Sequence, residues 1–298
     1  MVTRNGRGCA RVRRAAVRGG LVWGVLVAAV SAGAADLDAQ RWKTVTAARQ
    51  VTSEEALRVN VEYGAGVLTV RRGQGGELYN ALFHFDETWS VPKTEYANGR
   101  LEVGLSTTGN GNSDFDDWPG EASLELALAP GVPMDLDLSF GAGQAELDLT
   151  GLAVRKLEIN TGASESRVRV DEVNREPMES AAITVGAADL DVHGLGNLNA
   201  EEITVKSGLG AVTLRLDGEW PRDGQLLVEM GLGAVRLQVP RSLGVRLRRP
   251  GSLLASIETE GLEKRGKVYQ SANWESAERK VEIEITAVLG SVDLEWIH

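Results

Sequence analysis

Residues 208–216, GLGAVTLRL, and residues 231–239, GLGAVRLQV, decide the fold, because each places a glycine pair directly before strictly alternating apolar side chains. A period of two is typical of a β-strand with one buried face. The same pattern returns elsewhere, so the chain is built from repeated units. The other copies are GAGVLTV at 64–70, GAGQAELDL at 141–149, GASESRVRV at 162–170, GAADLDV at 186–192 and LGSVDL at 289–294.

The repeated unit is 21 to 24 residues long when Gly143, Ser164, Gly186, Gly210 and Gly233 are taken as equivalent anchors. Another strand precedes each glycine pair, so each unit predicts a strand, a bend, a second strand and a connection. Such a unit has no room for a helical crossover between parallel strands. We therefore predict an all-β solenoid whose rungs of about 22 residues stack at the strand spacing of about 4.8 Å.

Glycine suits these bends because it accepts a positive φ and lets another backbone approach closely. No helix follows the glycine pairs, so they lack the helix N-terminus that a phosphate site requires. We therefore assign them a structural role. The structural glycines are Gly64, Gly66, Gly141, Gly143, Gly162, Gly186, Gly208, Gly210, Gly231, Gly233 and Gly290.

The outward positions of the predicted rungs carry charges of alternating sign. Opposite charges on neighbouring strands contribute roughly 0.2–1 kcal/mol per pair, so the alternation favours stacking. Chance alternation on a solvated face is the alternative. Three residues after each anchor the column is Glu146, Arg167, Asp189, Thr213 and Arg236, and five residues after it the column is Asp148, Arg169, Asp191, Arg215 and Gln238.

Residues 1–35 have the three parts of a secretory signal peptide: arginines, an apolar run from Leu21 to Val30, and small residues up to Ala35. The apolar run is shorter than the roughly 20 residues of a membrane span, and an uncleaved anchor is the alternative. We predict an exported protein of the periplasm or cell envelope. Cys9, the only cysteine, lies in this segment, so no disulfide is expected in the mature chain.

The net charge of the chain limits the classes of partner that it can bind. The formal net charge is −10, and it becomes −16 without residues 1–35, which hold six arginines and no carboxylate. A nucleic-acid partner would require a basic surface, so we expect none. Membrane contact is expected only if the N-terminal segment stays uncleaved, because an acidic chain is not attracted to anionic lipids. The two ends of a stack carry unpaired backbone groups that can pair with another strand, so self-association of the chain is possible.

The chain after the signal divides into three predicted segments. Residues 36–56 are predicted to be a mobile linker, residues 57–130 an N-terminal β region, and residues 131–298 a repeat β-solenoid that continues the same stack. After Gly233 the next anchor is expected near Gly251, before a final strand pair.

Several stretches resemble the bacterial toast-rack proteins, and IEITAVLGSV at 283–292 resembles the soluble part of LiaF-like cell-envelope stress proteins. The resemblance covers residues 57–297. It implies a single-stranded, right-handed β-helix-like fold and a role in envelope-stress sensing or adaptor work. LiaF-like proteins carry several membrane spans before this domain, whereas this chain has one export segment. The stretches are GAGVLTV at 64–70, VPMDL at 132–136, GAGQAELDLTGL at 141–152, TGASE at 161–165, GAADL at 186–190, GLGAVRLQVP at 231–240 and YQSAN at 269–273.

One loop carries oxygen ligands at a spacing similar to that of a calcium site. Asn110, Asn112 and Asp114 are followed by Glu121, eleven residues after the first. Phe115 occupies the position of the turn glycine, and no helices flank the loop. A solvated loop without calcium is the alternative.

The sequence contains no catalytic motif, and no cofactor is predicted. His84, His193 and His298 are too scattered for a zinc motif. Some parallel β-helices cleave polysaccharides in aromatic-rich grooves, but aromatic residues make up only 5% of this chain. We therefore predict a non-catalytic binding or scaffold module of the cell envelope whose partner is an unknown envelope protein or glycan. An adhesive or structural surface protein and a carbohydrate-active β-helix enzyme are the alternatives.

Overall fold

The computed structural model describes residues 41–107, 122–249, 252–258 and 260–297. These residues form sixteen β-strands in one sheet and one short 3-10 turn, Leu195–Leu198. Within them, no helix is long and apolar enough to cross a membrane. The strands are β1 (Trp42–Gln50), β2 (Leu57–Arg72), β3 (Glu77–Asp86), β4 (Ser90–Ala97), β5 (Arg100–Thr107), β6 (Ser123–Leu128), β7 (Met134–Asp148), β8 (Val154–Arg169), β9 (Met178–His193), β10 (Ala200–Arg215), β11 (Gly224–Pro240), β12 (Gly244–Arg248), β13 (Ser252–Glu258), β14 (Leu262–Arg265), β15 (Val268–Ser271) and β16 (Lys280–Ile297).

Seven long strands form a parallel stack in the order β2, β7, β8, β9, β10, β11 and β16. Their inward positions align into columns of aliphatic side chains. In one column, Leu147, Val168, Val192, Leu214 and Leu237 are each at most 2% exposed. Burying one such side chain contributes about 1.5–3 kcal/mol. The alternating sequence therefore encodes the core of the stack directly.

The bends of the seven strands lie in register. One predicted anchor, Gly186, is wrong by two residues. Ala188 pairs with Ser164 on one side and with Gly210 on the other, whereas Gly186 lies beside Gly208. The unit of β9 keeps the first glycine of the pair but has alanine in place of the second. No glycine therefore marks the correct anchor, although the unit lengths still lie between 21 and 24 residues.

This shift changes one member of each predicted outward column. Asp191, not Asp189, lies beside Arg167, and His193, not Asp191, lies beside Arg169. The first column keeps its alternation of sign because one aspartate replaces another. The second column has an imidazole where a carboxylate was expected.

The N-terminal end of the stack is covered by five strands, which we call the N-terminal cap (β1, β3, β4, β5 and β6); β5 and β6 pair with β2 in parallel, and the other pairings within the cap are antiparallel. β5 pairs with the first half of β2, and β6 pairs with its second half, so together they form one further rung. β4 then pairs with β5, while β3 and β1 follow β6. The parallel stack therefore does not end on a bare edge at this side.

Part of the predicted linker, residues 36–56, is a strand. β1 pairs antiparallel with β3, and the indole of Trp42 stacks on the His84 ring with 4.8 Å between centroids. Seven of its nine side chains are exposed. Backbone hydrogen bonds, polar contacts such as that of Arg49 with Glu54, and the Trp42–His84 stacking hold this edge strand, so its sequence lacks the alternating apolar residues that identify the other strands.

The C-terminal end does not follow the order that the repeat predicts. β16 lies between β11 and two strands that precede it in the chain, β12 and β13. β15 pairs antiparallel with β12, and β14 pairs antiparallel with β15. Ala255 of β13 lies in register with Gly290, while Gly251, near which the anchor was expected, lies outside the described residues.

Candidate functional site

His84 and His193 lie on different strands, β3 and β9, each with a local partner. His84 stacks on Trp42, and its Nδ1 lies 3.2 Å from Thr44 Oγ1. On β9, His193 Nε2 lies 3.0 Å from a carboxylate oxygen of Asp191. Where the chain is described, no group of three His, Cys, Asp or Glu side chains could hold a metal ion. The calcium candidates Asn110, Asn112, Asp114 and Glu121, like His298, lie outside the described residues.

The glycines at the bends form two columns in which an added Cβ would meet the backbone of the next rung. Val288 on β16 occupies the first column, and Ser164 on β8 and Ala188 on β9 occupy the second. In the first column, a Cβ on Gly141 would lie 2.1 Å from the carbonyl oxygen of Gly64. In the second column, Gly233 has a φ of 145°, and a Cβ there would lie 1.9 Å from the carbonyl oxygen of Gly210. Only glycine combines that φ with so close a backbone approach at low cost. The glycine pairs therefore serve the stacking of rungs.

A cleft of about 760 Å³ lies at the C-terminal end of the stack. The register of β13 against β16 ends at Asp293, so the last residues of β16 have no outer neighbour among the described strands. The cleft opens at this point. It is lined by Arg241, Glu260, Gly261, Ser271, Ala272, Asn273, Asp293, Leu294, Glu295 and Trp296.

Trp296 supplies the aromatic wall of the cleft. Its Nε1 donates a hydrogen bond of 2.9 Å to the carbonyl oxygen of Glu260, which fixes the half-buried indole. On the facing loop, Asn273 Nδ2 donates to the carbonyl oxygens of Arg241 and Leu243 at 3.1 Å and 3.3 Å. Side-chain hydrogen bonds to backbone therefore hold both walls in place.

Some charged side chains of the cleft have an ion-pair or hydrogen-bond partner, and others have none. A carboxylate oxygen of Glu295 lies 3.2 Å from Arg236, and Asp293 accepts a hydrogen bond of 3.3 Å from Ser291. The exposed Arg241 has no carboxylate within ion-pair distance in the described part of the chain. An indole face packs against apolar ligand surface, while guanidinium and carboxylate groups bind hydroxyl groups. This combination suits a sugar.

Carboxylates with a clearly shifted pKa lie at the opposite end, in the N-terminal cap. A hydrogen bond of 2.6 Å from the backbone N–H of Thr52 to Glu54, with further bonds from Thr52 Oγ1 and Tyr96 Oη, lowers the pKa of Glu54 to about 2. Burial raises the pKa of Asp86, but hydrogen bonds from Thr88 outweigh this and lower it. A general acid requires a raised pKa. These anions therefore hold the cap together.

No local sequence pattern marks the cleft, because its residues come from separate stretches of the chain. One signal was present at the end of β16. In the register of the stack, Trp296 lies beside Val239, so a large aromatic side chain occupies a position that is a small aliphatic one in the neighbouring rung. An outsized residue at the end of a repeat indicates a local departure from uniform stacking.

The sequence matches the family model described as the N-terminal domain of toast_rack, DUF2154, over residues 34–193. No curated protein matches it. The chain is similar to the crystal structure of a candidate cell adhesion protein from Clostridium sporogenes, with 17% identity over 86% of this chain and 100% of that chain and a TM-score of 0.45. A candidate adhesin from Bacteroides fragilis shows 11% identity over 85% and 97% of the two chains, with a TM-score of 0.38. A candidate lipid binding protein from Parabacteroides distasonis shows 11% identity over 87% and 97%, with a TM-score of 0.32.

Proposed function

The chain belongs to the toast-rack family, and from this premise we propose that it is an exported, non-catalytic binding or scaffold module of the cell envelope. The C-terminal cleft carries the proposal. There the fixed indole of Trp296 and the unengaged guanidinium of Arg241 lie on a continuous hydrogen-bonded stack. Concave sites with a few well-placed polar groups on a preformed support are typical of ligand binding. We propose an envelope glycan as the ligand.

Two features favour binding over catalysis. Two of the three carboxylates that line the cleft have a partner, Arg236 for Glu295 and Ser291 for Asp293. The third, on the exposed Glu260, has none among the described residues. The carboxylates with shifted pKa values lie in the N-terminal cap, and the four of them, Glu54, Asp86, Glu87 and Glu102, all have lowered values. A glycosidase would instead require a protonated acid facing a second carboxylate.

We propose further that the stack is a single-stranded, right-handed β-helix. Each unit from β7 to β11 contributes one long strand that pairs in parallel with the next. Connections between parallel neighbours in one sheet are right-handed in almost all proteins. An experimental structure would test the hand.

The glycan proposal is tested by titrating the chain from residue 36 onward with soluble fragments of envelope polysaccharide while tryptophan fluorescence is followed. We expect saturable binding that Arg241→Ala weakens at least about tenfold, since the guanidinium would lose its charge-assisted hydrogen bonds. Arg175→Ala is the matched control, because Arg175 is also exposed but lies outside the cleft.

Equal weakening by both variants, or no binding by any fragment, contradicts glycan recognition in the cleft. Release of new reducing ends from the polysaccharide contradicts the non-catalytic assignment and favours the carbohydrate-active alternative. Cross-linked capture of a membrane kinase that depends on Arg241 would instead support the envelope-stress sensing or adaptor role.

An adhesive surface role is the second candidate, and exposed aliphatic side chains such as Leu209 and Leu232 favour it. Purified protein that binds neither cells nor itself would contradict this candidate. For the stress-sensing role, a strain lacking the gene should lose antibiotic or detergent tolerance, and unchanged tolerance counts against that role.

A further inference from the structure

Three neighbouring rungs expose aliphatic side chains at their bends. Leu209, Leu232 and Leu289 lie side by side in the register of β10, β11 and β16, and they are 50%, 47% and 41% exposed. Val288, which precedes Leu289, is 47% exposed. The flanking alanines on the other side of the bend continue the apolar surface. We call this surface the corner patch: Leu209, Ala211, Leu232, Ala234, Val288 and Leu289.

The corner patch is confined to these three rungs. The other four rungs have only alanine at the leucine position of the bend. Two residues further on, β8 and β9 carry the exposed carboxylates Glu165 and Asp189, where β10 and β11 carry alanine. The repeat itself therefore does not require leucine here, so its exposure at three successive rungs needs a separate reason.

No charged side chain lies within the corner patch, although the chain has a net charge of −10. One exposed carboxylate borders the corner patch: Asp189 of β9 lies in register beside Ala211. The nearest outward charges on β10 and β11 themselves are paired. Lys206 Nζ lies 3.1 Å from a carboxylate oxygen of Glu229, and Arg236 lies 3.2 Å from Glu295. The three rungs of the corner patch can therefore approach an uncharged apolar phase without burying an unpaired charge of their own, while Asp189 at the border stays in the hydrated headgroup region.

The corner patch projects outward, because Gly208, Leu209, Gly210 and Ala211 are four consecutive exposed residues on β10. Three rungs span only about 10 Å at the strand spacing. Two such corners in contact would bury far less than the roughly 1,200 Å² of a stable protein interface. A second copy of the chain is therefore a poor occupant, whereas a fluid lipid surface accepts a small projecting tip.

We propose that the corner patch inserts its aliphatic side chains into the interfacial region of a lipid bilayer. Removing exposed leucine and valine from water drives this insertion. The lipid is zwitterionic, because the patch offers no cation to anionic headgroups. The contact places the β10, β11 and β16 bends against the membrane and requires no spanning segment.

The experiment is flotation with phosphatidylethanolamine–phosphatidylcholine vesicles. It uses the chain from residue 36 onward, since all sixteen strands lie between Trp42 and Ile297. Wild type is expected to float with the vesicles, and raising the salt concentration should not release it. The triple variant Leu209→Ser, Leu232→Ser, Leu289→Ser is expected to reduce partitioning at least about tenfold.

The matched control is Val45→Ser, Val51→Ser, Val91→Ser, which removes three valines of the N-terminal cap region that are 39%, 39% and 50% exposed. This control should float like wild type. Leu232→Trp adds a direct readout, because lipids brominated on their acyl chains should quench the new fluorophore.

Equal flotation of the triple variant and wild type, or no flotation of either, overturns the proposal. So does sedimentation that shows a wild-type dimer lost in the triple variant, because the occupant would then be a second copy. Melting temperatures of all variants, measured in parallel, separate loss of binding from loss of folding.

Discussion

Glu54 shows how one side chain organises the N-terminal cap. Its carboxylate accepts hydrogen bonds from the backbone N–H and hydroxyl of Thr52 and from Tyr96 Oη, while Arg49 lies 3.6 Å away. The guanidinium of Arg49 also lies over the Tyr96 ring, 4.4 Å from its centroid. One anion therefore joins the turn before β2 to residues of β1 and β4.

The lowered pKa of Glu54 predicts a pH dependence of stability. The pKa falls from 4.5 to about 2 on folding, so the stabilisation is complete above about pH 4.5 and is lost as the pH falls to about 2. We expect Glu54→Gln to be less stable than wild type at neutral pH, with the difference closing towards pH 2. Urea unfolding across this range measures it. Glu55→Gln, at an exposed neighbour, should show no such convergence.

Gly233 tests the structural role of the glycine pairs. Gly233→Ala would force a Cβ to within 1.9 Å of the Gly210 carbonyl oxygen at a φ of 145°. We expect the free energy of unfolding to drop by about 3 kcal/mol or more. Gly131→Ala is the control, because a Cβ there meets nothing within 4 Å. Equal effects in urea unfolding would show that the bend tolerates a side chain.

At the scale of elements, β16 is the clearest case of a strand whose neighbours in the sheet are not its neighbours in the sequence. It pairs with β11 from Gly224–Val281 to Pro240–Ile297 and with β12 and β13 on its other side. A strand paired on both sides opens only when its neighbours separate, whereas an edge strand such as β1 opens alone.

Hydrogen exchange should therefore rank the elements by their place in the sheet. We expect the amides of β16 to exchange as slowly as those of β9 and β10, although β16 is near the C-terminus. The amides of β1 and β14, which pair on one side, should exchange fastest. Exchange of β16 at the rate of β1 would contradict its interior position in the stack.

The alternation of apolar residues predicted the long strands well, because each buries one face against the same core. The sequence could not fix the anchor of β9, where Ala188 replaces the marking glycine, since either residue fits the spacing. It also missed β1, which is held mainly by backbone hydrogen bonds that leave no apolar pattern. The cleft at Trp296 depends on where β13 stops pairing, which no local pattern records.

At the scale of the whole molecule, one hydrophobic core extends from Leu57 in β2 to Leu294 in β16. The N-terminal cap contributes Phe83 and Leu126 to that core, and β12 contributes Val245 and Leu247. Repeat proteins with only nearest-neighbour contacts can unfold in pieces. Here the N-terminal cap and β12 share the core with the rungs, which favours one cooperative unit.

Leu214→Ala tests this cooperativity, because Leu214 is fully buried in the middle of the stack. We expect the cavity to lower the free energy of unfolding by about 2–5 kcal/mol. Exchange protection in β3 and in β12 should fall by the same amount, since both ends would unfold together. Leu209→Ala, at a 50% exposed position in the same strand, should change little. Undiminished protection in β3 would show that the ends unfold independently.

The place of β16 also sets the order of events as the chain is made. β12 and β13 leave the ribosome before β16, yet they can join the sheet only through it. The edge of β11 therefore stays unpaired until residues 280–297 have emerged, and it must avoid other nascent chains during that interval. The position of one strand therefore postpones assembly of this part of the sheet until that strand has been synthesised.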